Sequence, residues 1–153
     1  AFTFMFDATG PRPFIAYAPV QTDKTAPAMQ ELLAELQGIT SDAPVTEDEL
    51  AKTKNEQTLT LPGRFETISA VSSAIGDVVR FGLPDDYFET YAENVRALTR
   101  ADVNGVARDV VHPDRLTWVV VGDRKRIEPA IRELGFGEVR LLDSNGQPVA
   151  ASE

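Results

Sequence analysis

The sequence has no cysteine, and among its 153 residues there is one histidine, His112, and one tryptophan, Trp118. Without cysteine there are no disulfides, thiolate zinc sites, iron–sulfur clusters or thiol nucleophiles. A cysteine-free chain is also indifferent to redox poise, so compartment is not readable from it. A single histidine excludes histidine-rich metal sites and two-histidine catalytic motifs within this chain. No G-x-S-x-G elbow is present, and with one histidine a Ser-His-Asp triad is disfavoured. No apolar run approaches the roughly 20 residues needed to span a bilayer. Basic side chains are scarce: 15 Lys and Arg stand against 24 Asp and Glu, a formal charge of -9. A field of that sign repels phosphate backbones and disfavours nucleic acid as a partner.

What is present is ordinary for a folded domain: 42% hydrophobic and 25% charged residues. We expect a single α+β domain over residues 1–145 and a flexible tail over 146–153. Phe2, Phe4 and Phe6 alternate with Thr3 and Met5, the period of a strand. A turn cluster over 7–11 and a short apolar run, Phe14–Ala18, complete an antiparallel hairpin. The strand starts at once, with no initiator methionine or leader shape, so the chain is expected to be the downstream part of something longer.

The period then becomes helical. Met29, Leu32, Leu33 and Leu36 form one stripe, with Pro27 in the first turn and Gly38 as the expected stop. Thr46 and Glu49 match a capping box opening a mostly polar helix to about Leu59. Phe65, Ile68, Ser72, Ile75 and Val79 predict a buried helix within 64–81, ended by Gly82. Phe88, Tyr91, Val95 and Leu98 predict another, and Thr99 with Asp102 caps a fifth over Val103–Val110. Leu116–Val121 reads as a strand buried on both faces. A helix over 124–134 closed by Gly135 and a last strand, Glu138–Leu142, follow. The expected order is ββ, five helices, then βαβ, with helices on one face of a small, mostly antiparallel or mixed sheet.

No residue in this pattern makes a self-sufficient catalytic, cofactor or metal site. Gly122-Asp123 resembles a phosphate-binding strand-to-helix turn, but a G-x-G-x-x-G spacing is lacking and Asp123 reads as a cap. His112, before Pro113, reads as a loop residue without partner ligands. Glu47-Asp48-Glu49 and Asp85-Asp86 sit at helix starts, where the macrodipole explains them. Arg124-Lys125-Arg126 reads as a solvated first helical turn. Substrate-binding residues are not identifiable.

Several segments, in order, resemble the pitrilysin/insulinase family of zinc metallopeptidases, of the LuxS and processing-peptidase type. They are Ala18–Thr25, Pro44–Lys54, Leu61–Thr67, Gly82–Tyr87, Leu98–Val103 and Val119–Asp123. The resemblance spans roughly residues 10–145 and is similar to the latter part of a C-terminal-type domain. It implies a non-catalytic wall of a peptidase chamber, with hydrolysis performed by a zinc-bearing domain or subunit elsewhere. The family's His-x-x-Glu-His motif is absent here, so zinc is implied only for the parent or partner, and none for this chain. Family members grip substrate through an Arg and a Tyr in a segment that would lie upstream of Ala1. Arg12 and Tyr17 are outside that context and inherit no role. The resemblance also implies missing upstream strands, peptide as substrate and, through exported bacterial relatives, a periplasmic parent. Two other readings stand beside it: an inactive assembly or core subunit of the same family, and an unrelated ligand-binding domain.

Overall fold

Short-range signals account for where each element begins. The computed structural model of the chain describes residues 1–149. Strand β1 (Phe2–Met5) pairs antiparallel with β2 (Phe14–Tyr17), Phe2 opposite Tyr17 and Met5 opposite Phe14. Six helices follow: α1 (Thr25–Thr40), α2 (Glu47–Leu59), α3 (Ile68–Phe81), α4 (Tyr87–Ala97), α5 (Arg100–Val110) and α6 (Arg124–Glu133). The architecture is α+β, as the periodicities predict.

The predicted caps form. Thr46 Oγ1 accepts the Glu49 N–H at 3.3 Å, while Glu49 Oε2 accepts the Thr46 N–H at 2.9 Å. Thr99 and Asp102 repeat this reciprocal box at the start of α5, with the Thr99 N–H donating to Asp102 Oδ2 at 2.8 Å. Such caps satisfy backbone donors that a helix start leaves orphaned. Gly82 closes α3 at φ 60, a left-handed conformation costly for any residue with a Cβ, and lets the Leu83 N–H donate to Val78 O at 3.0 Å.

The packed centre lies around α1. Its predicted stripe buries Met29 and Leu36 together with Ala26, and α5 and α6 pack against it. Leu50, Val111 and Ile127 are the other buried hydrophobic side chains. On α5 the buried residue is polar. Asn104 Oδ1 accepts the Val45 N–H at 2.9 Å and its Nδ2 donates to Val45 O at 3.4 Å, joining α5 to the approach to α2. Helices α2 and α4 pack together, and Lys54 Nζ donates to Arg96 O at 2.9 Å across them.

Three expectations are corrected. Gly38 does not stop α1, which continues to Thr40; a Cβ on Gly38 would come within 3.3 Å of Ala43 Cβ, so this glycine admits the returning loop. The α3 helix exists, but no residue of it is buried, because the 3-10 turn Pro62–Phe65 is its main neighbour. Segments 116–121 and 138–142 make no strand ladder. Among the described residues the only sheet is β1–β2, so neither segment joins a ladder; Leu142 makes only one isolated bridge, to Pro148. The βαβ end of the predicted order is therefore a helix between two segments that lie outside any sheet. Of the expected tail, Gln147 N–H donates to Asp143 Oδ1 at 2.8 Å and Val149 N–H to Leu141 O at 2.9 Å, while residues 150–153 lie outside the described ones.

The accessible surface is 11660 Å² for 16.7 kDa, whereas a compact monomer of that mass exposes about 7,600 Å². The chain is open, with much apolar area left in water.

Replacing Asn104 by Ala strands the half-buried Val45 amide. We expect Asn104→Ala to cost about 1–3 kcal/mol in urea unfolding, more than Asn104→Asp, which keeps the acceptor for that amide.

Candidate functional site

The polar residues singled out by sequence settle into structural roles. His112 is exposed, and its carbonyl accepts the Arg115 N–H at 3.0 Å in a 3-10 turn, Pro113–Arg115. Asp123 caps α6, its Oδ1 accepting the Lys125 N–H at 3.2 Å. A Cβ on Gly122 would sit 3.0 Å from Ile127 Cδ1, so this turn is drawn tight by packing. Arg124 donates from Nε to Glu128 Oε2 at 2.6 Å, and Arg132 to Glu128 Oε1 at 2.8 Å. Asp86 makes no side-chain cap, though its carbonyl accepts the Thr90 N–H at 2.9 Å. Glu47 lies 3.6 Å from Arg100 Nε. Arg12 is 3.8 Å from Asp7, and Tyr17 stacks beside Phe2 with ring centroids 5.4 Å apart.

The carboxyls held below their usual range have the same explanation. Glu49 is held down by the Thr46 amide and hydroxyl, Asp102 by the Thr99 hydroxyl and amide, Glu128 by Arg124 and Arg132, and Glu138 by Arg140. These are caps and ion pairs on the surface. The described residues contain no group of three or more His, Asp or Glu placed to hold a metal ion.

What stands out is apolar. Along α3, Ile68 is 91% exposed, Ile75 60% and Val79 78%, one stripe spaced 7 and 4 residues apart. With Val71, Phe65 and Phe88 they border two adjoining depressions of ≈ 450 and ≈ 350 Å³ that share Phe65, Val71 and Ile75. Phe65 and Phe88 meet edge to face with centroids 5.2 Å apart, forming the groove's aromatic floor. A second apolar surface is the β1–β2 ribbon, which exposes Phe2, Phe6 and Tyr17. A third is the segment 116–121, where Val119 and Val121 are 84% and 94% exposed while Trp118 stacks beside Phe136 at 5.6 Å. No helix of the described residues is long and apolar enough to cross a membrane.

The periodicity of α3 identified the stripe but placed it inside the protein. Amphipathicity shows which face is covered and not by what. The chain's apolar surfaces, and not a cluster of reactive side chains, are its candidate site. Comparison with protein-family models, curated proteins and solved structures returns no match.

The two capping boxes set an acid limit. A carboxyl with a depressed folded pKa adds stability above its unfolded value, about 4, and loses it as pH falls through the folded one. Thermal midpoints should therefore drop between pH 5 and pH 3, and Glu49→Gln with Asp102→Asn should flatten that drop.

Proposed function

We propose that this chain is a non-catalytic C-terminal-type domain of an insulinase-type zinc peptidase, forming chamber wall against a zinc-bearing domain or subunit. One observation carries the reading. Residues 116–121 are mostly apolar and β-branched and, among the described residues, pair with no strand, and the β1–β2 ribbon has no further strand at either edge. A two-stranded ribbon is marginal alone, and further strands or a packed helix are needed to hold it. Unpaired edges add strands from another segment, burying the aromatic and valine side chains as they do so. The ordered resemblance over residues 10–145 names the kind of protein in which such a piece is closed.

This chain's own donor set does not fit a peptidase zinc. It offers one histidine, exposed in a turn, and no cysteine. Zinc and the water it activates belong to the partner in this reading. The present chain contributes position: it closes the chamber and holds the peptide's surroundings in place.

The test is to isolate this protein from its source cells with whatever it binds and follow cleavage of a quenched peptide. The expected result is cleavage that a chelator abolishes, that zinc restores, and that depletion of this chain removes. Hydrogen exchange at the amides of 117–121 should slow in that complex relative to the free chain. A stable complex with those amides protected but no zinc-dependent cleavage would overturn the peptidase role and leave an assembly subunit. A chain isolated alone with a bound metabolite would overturn both in favour of a ligand-binding domain.

A further inference from the structure

We infer that the groove along α3 is a docking site for an amphipathic helix bearing basic residues, an inference independent of the peptidase reading. The demand for an occupant comes from α3 itself. At 14 residues it is near the length at which isolated helices are marginal in water, and its outward stripe has no cover. From Ile68 to Val79 the stripe runs 11 residues, about 16 Å, which matches about three turns of a docked helix.

Three observations select the occupant. The first is chemical form. The backbone of α3 is spent within its own helix, so a strand would find no ladder there. The ridge of Ile68, Ile75 and Val79, with the hollow bordered by Val71 and Phe88 beside it, is a surface into which another helix's ridges fit. The second is charge. The charged residues lining the groove are Glu66 in one depression and Asp85 in the other, both acidic. Around them, residues 61–89 carry Glu66, Asp77, Asp85, Asp86 and Glu89 against Arg64 and Arg80, and Arg80 is turned over the Phe81 ring at 5.1 Å. The third is what this charge excludes. A second copy would bring its own Glu66 and Asp85 and a further charge of -9, and an anionic membrane would meet the same repulsion. Lys or Arg flanking an apolar stripe meets attraction instead, and apolar contact supplies the affinity.

The full-length chain can be titrated into a fluorescein-labelled Leu/Lys peptide with apolar residues at i, i+3, i+4 and i+7, read by anisotropy. A Leu/Glu peptide of identical apolar spacing is the control. The Leu/Lys peptide should bind, the Leu/Glu peptide should not, and added salt should weaken binding. Ile75→Gln with Val79→Gln, which removes two apolar anchors without adding charge, should weaken it at least about tenfold. Both side chains already face water, so circular dichroism should be unchanged. Glu66→Gln with Asp85→Asn removes charge without touching the stripe, and should weaken binding several-fold and flatten its salt dependence. Equal binding of the two peptides, or binding that ignores both variant pairs, would overturn the inference. So would self-association of the chain that the Leu/Lys peptide fails to compete away.

Discussion

The helical part of the molecule depends on burying the inner stripe of α1. Ala26, Met29 and Leu36 are half of the six buried hydrophobic side chains, and α5 and α6 pack on this helix. Beyond that centre the packing is sparse: α2 meets α4 across the intervening α3, and α3 itself packs mainly on the turn before it. Among the described residues no side chain is enclosed to the degree usual in a domain core. Interiors normally reach crystal-like density, so this centre is thin for a chain of this length.

This arrangement explains why some elements were legible and others were not. Caps and glycine stops are local: Thr46 reaches Glu49 three residues on, Thr99 reaches Asp102, and Gly82 needs only its own φ. Such signals depend on nothing outside a short window, and all three lie where the sequence predicts. The strand at 116–121 is different. Its β-branched run states a preference, but a strand exists only when a neighbour accepts its hydrogen bonds, and the described chain supplies none. The α3 stripe was read as interior for the same reason. Gly38 was misassigned because an approach by Ala43 from the following loop leaves no trace in the helical period.

The site reading follows that division. Several charged residues that looked chemical in the sequence act as caps or ion pairs, Glu49, Asp102, Asp123 and Arg124 among them. The groove on α3 and the exposed valines were visible as hydrophobic patterning, and only the geometry revealed them as surface. The chain's charge repels copies of itself and favours basic partners, while the apolar stripe supplies the contact area.

The bridge from Asn104 to Val45 bears on how the molecule is made. The two residues are 59 positions apart, and translation at about 5–20 residues per second puts about 3–12 s between them. In that interval α1 has not met α5 or α6, and Thr46 caps α2 before α4 arrives to pack against it. The nascent chain can already fasten α2 to α4 once Arg96 is made, but α5 is joined to the approach to α2 only when the ribosome delivers a single asparagine.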